Sequence, residues 1–155
     1  MPANVIERSY SNYDKIVVIN SGENEDVKVD MPVISESGLV GKVISVTEKT
    51  AKVQTIIDTA STVSASISTV TDSILLKGTL TDTQSLKAIS IPVNTSVLQG
   101  DEVVTSGLGG IFPKGILIGT ISEVVNTKNE LDRYAVITPA TDFSKLETVL
   151  VITNQ

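Results

Sequence analysis

Apolar and polar residues alternate over several short stretches of this 155-residue chain. In Ala51-Lys52-Val53-Gln54, the alternation would turn Lys52 and Gln54 toward water and the two apolar side chains inward. Val, Ile and Thr supply 56 of the 155 residues, and these β-branched types favour strands. Turn-forming groups recur every eight to twelve residues. The pattern therefore predicts an all-β protein built from many short strands.

The pattern predicts twelve strands, which divide evenly into six and six. They are 4–7, 14–20, 31–35, 39–47, 50–57, 63–68, 73–80, 86–92, 102–105, 116–125, 133–138 and 148–153. We predict two small six-stranded antiparallel β-barrels packed side by side, with at most short helical turns. The first barrel would take residues 1–68 and the second 69–155, with the last strand able to return to the first barrel. Barrels this small rarely stand alone, so the two should share an interface.

Residues 141–147 are predicted as the one helical turn of the chain. Pro139 disfavours an earlier helix start, and Asp142 or the threonine before it would cap the first turn. Phe143 and Leu146 stand three residues apart and would pack on one side of that turn.

Composition and charge exclude several classes of function. The net charge is −6 and only two arginines, Arg8 and Arg133, are present, so the clustered cations that bind a phosphate backbone are missing. Five aromatic residues are too few for a base-stacking platform, and no nucleic-acid partner is expected. The chain has no Cys and no His, which excludes Ser-His-Asp and Cys-His catalysis and leaves only oxygen-ligated metals. No cofactor or metal site is predicted.

The chain has no apolar run of about 18 residues and no signal-peptide pattern. Its start, MPANVIERSY, is typical of an initiator Met placed at a cut point, so a longer parent protein is expected. The absence of Cys fits either a cytosolic protein or a bacterial extracytoplasmic one without disulfides.

Residues 106–119 read SGLGGIFPKGILIG and hold five of the chain's ten glycines. A phosphate-binding loop needs a lysine where Ile116 stands, and a dinucleotide fingerprint needs a glycine where Phe112 stands. A nucleophile elbow around Ser106 needs a glycine where Val104 stands. Capture of a peptide carboxylate by backbone N–H groups stays open, although no neighbouring helix is predicted.

The alternative for this segment is structural. Glycines supply positive φ angles that other residues avoid, and Phe112-Pro113 would plug one end of a barrel. Gly115 and Gly119 would let the chain bend back into the next strand. On this interpretation the segment is a turn system and not a ligand cradle.

A second enzymatic hypothesis concerns Asp58. Ile56-Ile57-Asp58-Thr59-Ala60 resembles the active-site turn of retroviral-type aspartic proteases, which are β-rich homodimers with one Asp per subunit. Those enzymes also carry an apolar-apolar-Gly element, for which residues 117–119 would serve. The simpler interpretation is that Asp58 caps a turn between strands.

A longer signature covers the glycine segment and its flanks. Residues 100–115, GDEVVTSGLGGIFPKG, closely resemble the signature of the rod-shape-determining MreC family. Agreement continues at 31–33 with 38–43, at 142–147 with 149–151, and at 5–6 with 11–12, in the order of the family. The resemblance marks a structural signature loop (Gly107, Gly109, Gly110, Phe112, Pro113, Gly115 and Gly119) and a closing motif (Asp142, Phe143 and Leu146). One departure is Asp30, where the family often has Gly; Asp tolerates the left-handed conformation, so the turn should survive.

The resemblance implies a non-enzymatic, dimerising scaffold of the bacterial cell-elongation machinery. The family consists of a cytoplasmic tail, one membrane helix, a coiled coil and two β-barrels, of which this chain would be the barrel part. It implies a place on the outer face of the cytoplasmic membrane, in the periplasm or cell-wall space. It also implies these partners: a second copy, a class B penicillin-binding transpeptidase that the barrels bind and activate, MreD, RodA and, in the full-length protein, MreB. The remaining alternative is a homodimeric retropepsin-like protease that uses Asp58.

Overall fold

The computed structural model describes residues 1–10, 15–67, 73–79, 85–89, 91, 97–125 and 133–153. Within these residues the chain forms twelve strands. They are β1 (Pro2–Tyr10), β2 (Lys15–Ile19), β3 (Pro32–Ile34), β4 (Leu39–Val46), β5 (Ala51–Thr55), β6 (Thr62–Ile67), β7 (Ser73–Gly78), β8 (Leu86–Ile89), β9 (Glu102–Thr105), β10 (Leu117–Val125), β11 (Tyr134–Pro139) and β12 (Thr148–Val151). The predicted strand ends at 14, 68, 80 and 92 lie outside the described residues.

The strands close into two six-stranded barrels. The order around the first barrel is β1-β12-β3-β4-β5-β2, and around the second it is β10-β11-β8-β7-β6-β9. Neighbouring strands pair antiparallel in both barrels. The predicted all-β fold of two small antiparallel barrels is therefore confirmed. Closure matters because it leaves neither sheet with an unpaired edge.

The boundary between the barrels differs from the predicted one at residue 68. Strand β6 pairs with β7 (Thr62 opposite Lys77) and with β9 (Ala65 opposite Thr105), so it belongs to the second barrel. Strand β12 pairs with β1 and β3 and belongs to the first. The chain thus crosses between barrels twice, in segments 56–61 and 140–147. Alternation along a sequence predicts a strand but not its partner, which is why β6 was placed in the wrong barrel.

The predicted helical turn at 141–147 is a hydrogen-bonded turn and not a helix. Lys145 N donates to the Asp142 carbonyl oxygen at 3.2 Å, and no helical turn follows. Phe143 and Leu146 are nevertheless both buried. Among the described residues, the helical geometry that does occur is a single 3-10 turn at Glu23–Glu25.

Burial follows the alternation that the sequence shows. In β5 the side chains of Ala51 and Val53 are buried while Lys52 is exposed. The pairing register shifts part-way along β1, β4 and β10, where they pair with β2, β5 and β11 respectively. Such bulges increase local twist and bend the strand, which a short strand needs in order to close a barrel this small.

The two phenylalanines should contribute unequally to stability. Phe143 is fully buried, whereas Phe112 in the glycine-rich segment is only partly buried against the core. Replacing Phe143 by Ala should lower the free energy of unfolding by about 4 kcal/mol, and replacing Phe112 by Ala by about 2 kcal/mol. Urea denaturation measures both, with Leu98→Ala, at an exposed position, as the control. An equal or larger loss for Phe112 would show that it is the main plug of the core.

Candidate functional site

The glycine-rich loop after β9 depends on backbone conformation. Gly107, Gly109, Gly110 and Gly115 have φ angles of +82°, +89°, +77° and +92°. A Cβ at Gly109, Gly110 or Gly115 would meet no atom within 4 Å, so these positions do not lack room. They require glycine because L side chains disfavour positive φ by roughly 1–2 kcal/mol per residue.

Thr105 closes the base of this loop. Its N–H donates to the Ile116 carbonyl at 2.9 Å, and its own carbonyl accepts from Gly115 N at 2.9 Å. Its side-chain Oγ1 accepts from Ile116 N at 2.8 Å and donates to the Pro113 carbonyl at 2.5 Å. The two ends of the loop are therefore held together independently of any ligand.

Ser106 links the same loop to strand β6. Its N–H donates to the Ser64 carbonyl at 3.1 Å, and its hydroxyl donates to the Ser64 hydroxyl at 2.9 Å. Its Oγ also accepts from Leu108 N at 3.2 Å. The hydroxyl is engaged in bonds that hold the loop, and several loop N–H groups already have acceptors. This arrangement weakens the carboxylate-capture hypothesis.

The remaining residues of the predicted signature divide between core and surface. Phe112 and Pro113 are partly buried, and Leu108 at the tip is 60% exposed. Gly119 lies in β10, where an added Cβ would collide with the Thr138 carbonyl oxygen of β11. Gly119 therefore serves a close approach of two strands.

A cleft of about 380 Å³ lies where the glycine loop faces the first barrel. The glycine loop contributes Gly109, Gly110 and Ile111; the first barrel contributes Lys28, Val29, Asp30, Met31, Ile152 and Thr153. Val29 is 52% exposed at this cleft. The cleft thus presents backbone and apolar side chains that belong to both barrels.

Asp30 confirms the prediction for the turn before β3. Its φ angle is +74°, in the left-handed region, and its N–H donates to the Val43 carbonyl at 2.8 Å. Its carboxylate lies 3.9 Å from the Lys42 ammonium on the surface, a separation at which an exposed pair contributes little.

Asp58 lies at the first crossing between the barrels and is 1% exposed. One carboxylate oxygen accepts from Lys15 N at 2.9 Å and the other from Ala60 N at 2.8 Å. The Lys15 carbonyl in turn accepts from the Thr55 hydroxyl at 2.7 Å. A protease aspartate must reach substrate and a second aspartate, but both oxygens here bind backbone of the same chain. The carboxylate therefore holds the crossing segment to strand β2.

Gly78, the last residue of β7, lies against the same segment. A Cβ there would collide with the carbonyl oxygens of Ile57 and Asp58. The glycine therefore lets the second barrel approach the crossing backbone closely.

The second crossing has the same kind of arrangement, centred on Thr141. Its side chain is 3% exposed, and its Oγ1 donates to the Leu39 carbonyl at 3.2 Å and lies 2.8 Å from the Ser35 hydroxyl. Leu39 and Ser35 flank the β3–β4 turn of the first barrel. Gly38 in this turn packs on the second barrel. A Cβ added at Gly38 would lie 2.6 Å from the Leu117 carbonyl oxygen.

The closing motif follows Thr141 directly. The Asp142 carboxylate accepts from Ser144 N at 3.0 Å and from the Ser144 hydroxyl at 2.6 Å. These hydrogen bonds, with a smaller contribution from Lys145, lower the pKa of Asp142, although the carboxyl is exposed. Asp142 therefore stabilises the turn that delivers Phe143 and Leu146 into the core.

Sequence reasoning marked the loop and the closing motif but did not predict the contacts that Ser35, Gly38, Gly78 and Thr141 make at the crossings. Thr141 was considered only as a cap for the helical turn, and Gly38 only as a turn signal and as part of the family-like block at 38–43. A glycine used for a close approach looks the same in a sequence as one used for a turn, so the sequence carried no signal that separates them.

Within the described ranges, no three Asp or Glu side chains lie close enough to hold a metal ion. Over the same part of the chain, no helix is long and apolar enough to cross a membrane.

Removal of the Asp58 carboxylate should destabilise the protein strongly. Asp58→Ala removes the acceptor of the buried Lys15 N–H and that of the part-buried Ala60 N–H, which should cost about 3 kcal/mol in urea denaturation. Asp101→Ala is the matched control, since Asp101 also accepts from a backbone N–H, that of Leu98, but at an exposed site. Equal losses for the two variants would contradict a structural role specific to the crossing.

Asp142 should titrate below the ordinary value of 3.8 for its carboxyl. Because its pKa is lower in the folded state, its contribution to stability is complete above the unfolded value and is lost as the pH falls through the folded pKa. Ser144→Ala removes the strongest hydrogen bond and should raise the pKa of Asp142, while Thr148→Ala should leave it unchanged. Carboxyl NMR titration measures both, and a midpoint at or above 3.8 in the wild-type chain is the contrary result.

The sequence and the fold both match known proteins. The family model described as "Rod shape-determining protein MreC, barrel core" matches residues 5–153. The cell shape-determining protein MreC of Listeria monocytogenes is 39% identical over 153 residues, which cover 97% of this chain and 52% of that protein. The chain spans about half the length of this and other curated relatives.

Solved structures share the two-barrel fold. The crystal structure of MreC from Pseudomonas aeruginosa gives a TM-score of 0.92 at 26% identity, covering 98% of this chain and 97% of that one. A chain from the complex between Penicillin-Binding Protein (PBP2) and MreC from Helicobacter pylori gives a TM-score of 0.75 at 20% identity, covering 100% and 98%. With the family model matched over nearly the whole sequence and the same double barrel in these structures, the chain belongs to the MreC family of rod shape-determining proteins.

Proposed function

We propose that this chain is the barrel part of a non-catalytic scaffold that helps to set bacterial cell shape. Its membership of the MreC family, matched over residues 5–153, carries the proposal. The curated relatives are named as cell shape-determining proteins. The scaffold acts through binding, and its two closed barrels supply a surface that both of them share.

The aspartic protease alternative is not supported. It rested on Asp58, whose two carboxylate oxygens are bonded to backbone N–H groups inside the fold. The 155 residues include neither His nor Cys, so the common nucleophile–base pairs cannot be built from this chain. The Asp58 turn is therefore part of the scaffold's framework.

The partner that we propose is a class B penicillin-binding transpeptidase. A solved complex named for PBP2 and MreC from Helicobacter pylori supports this choice, since its matched chain shares the double-barrel fold. A scaffold activates such an enzyme only through contacts that differ between the enzyme's two states. Binding that favours the active state would therefore raise peptidoglycan synthesis without chemistry in this chain.

We assign the contact to the cleft between the glycine loop and the first barrel. Val29 lines this cleft, and Leu108 lines an adjoining pocket of the loop that shares Gly110 with it. Both side chains are more than half exposed, and exposed apolar side chains of this kind favour protein binding. The loop backbone itself has a structural role, because its positive φ angles and the bonds of Thr105 set its shape. The glycines of the loop therefore set its shape, and the exposed apolar side chains would make the contact with the partner.

The rest of the proposal concerns the full-length protein. We place the barrels on the outer face of the cytoplasmic membrane, joined to an N-terminal anchor that lies outside this sequence. There the protein would dimerise and work with MreD, RodA and, through its cytoplasmic tail, MreB. Self-association would add avidity to a partner contact that has few aromatic or Arg anchors.

Binding to the class B transpeptidase of the same organism tests the proposal. The double variant Val29→Ser, Leu108→Ser should weaken binding at least tenfold, because it removes two apolar side chains that the bound enzyme would bury. Thermal unfolding should change little because both side chains are exposed. Biolayer interferometry with immobilised transpeptidase measures the affinity.

Leu98→Ser is the control, since Leu98 is 64% exposed and lines neither the cleft nor the adjoining loop pocket that contains Leu108. Equal losses in the control and the double variant would refute the assignment of the cleft. A wild-type chain that does not bind the enzyme at all would refute the proposed partner.

A further inference from the structure

The two crossings between the barrels share an arrangement of buried polar side chains and glycines. At each crossing a buried polar side chain bonds to first-barrel backbone: Asp58 to Lys15 N, and Thr141 to the Leu39 carbonyl. At each crossing a glycine also allows close backbone approach, Gly78 at the first and Gly38 at the second. The barrels are therefore joined at two places.

Gly38 makes a direct backbone contact between the two barrels. It is buried, and its φ angle is not among the positive ones, so it does not need glycine for conformational reasons. A Cβ at Gly38 would lie 2.6 Å from the Leu117 carbonyl oxygen and 3.2 Å from the Ala140 Cβ. Leu117 begins β10 and Ala140 follows β11, so both neighbours belong to the second barrel. Even one added carbon would have to move backbone.

Thr141 bonds across the same contact. Its hydroxyl lies 2.8 Å from the Ser35 hydroxyl, and the Ser35 hydroxyl donates to the Gly38 carbonyl at 3.2 Å. Ala140, the residue before it, still pairs with the second barrel through a 2.9 Å bond to the Ile118 carbonyl. The chain thus passes from bonds with one barrel to bonds with the other within two residues, which leaves little freedom for a hinge.

We propose that Gly38 and Thr141 fix the angle between the barrels and thereby act as positioning residues for a partner that contacts both. The effect on binding rests on the proposed function; the effect on the angle does not. Strand β3 connects the two regions, because Met31, just before it, lines the cleft and Ser35, just after it, lies within hydrogen-bond distance of Thr141. Three residues of strand span about 10 Å, so a shift at Gly38 reaches the cleft directly.

Spin-label distance measurements on the 155-residue chain test the angle. The chain has no Cys, so Lys52→Cys and Thr120→Cys give one unique label on each barrel. Both positions are exposed mid-strand residues, Lys52 in β5 and Thr120 in β10. The labelled chain is then compared with the same chain carrying Gly38→Ala, Thr141→Val or the control Ser37→Ala, which changes an exposed residue of the same turn.

The control should keep the single wild-type distance. Gly38→Ala should shift the main distance by on the order of 2 Å, because packed interfaces convert a sub-ångström displacement into a discrete rearrangement. Thr141→Val adds no bulk and removes the hydroxyl bonds, so it should broaden the distribution. Transpeptidase affinity should fall at least tenfold for Gly38→Ala and stay unchanged for Ser37→Ala.

Several results would overturn the proposal. An unchanged distance distribution in both Gly38→Ala and Thr141→Val would show that these residues do not set the angle, and Thr141→Val decides if Gly38→Ala does not fold. A shifted distance with unchanged affinity would refute the positioning role in binding. If the wild-type chain does not bind the enzyme, the proposed partner fails, while the distances still decide the angle.

Discussion

The close backbone contact between the barrels at the two chain crossings is the constraint on which the rest of the molecule depends. Each barrel is too small to bury a large core alone. The chain leaves the first barrel after β5 and returns for β12, so the first barrel closes only with a strand that reaches it through the second crossing. Buried Asp58 and Thr141 satisfy backbone groups there, and Gly38 and Gly78 remove the side chains that would keep the backbones apart.

The sequence predicted the local features of the fold well. Alternation identified the twelve strands because one face of each strand is buried and the other solvated, as β5 shows. It failed where pairing is long-range: β6 was assigned to the first barrel because nothing in its own residues records its partners. In the turn at 141–147, Phe143 and Leu146 are buried as expected, but the predicted helical turn is absent. Two apolar residues three positions apart can be buried in either geometry.

Only part of the candidate site could be predicted from the sequence. The glycine loop was recognisable from its density of glycine, and its positive φ angles accord with the structural interpretation. The contacts that Gly38 and Thr141 make between the barrels were not predictable, because they involve atoms about a hundred residues away in the chain. The apparent protease turn at Asp58 shows the same limit: three residues suggested chemistry, and the environment of the carboxylate assigns it to the framework instead.

A scaffold made of two barrels can present one surface only if the barrels keep a fixed orientation. Barrels held together at two crossings should also unfold together. Differential scanning calorimetry of the 155-residue chain tests this central claim most directly. The account predicts one transition whose calorimetric and van't Hoff enthalpies agree, because the crossings couple the two cores. Two separable transitions, or a van't Hoff enthalpy near half the calorimetric one, would contradict it by showing that the barrels behave independently.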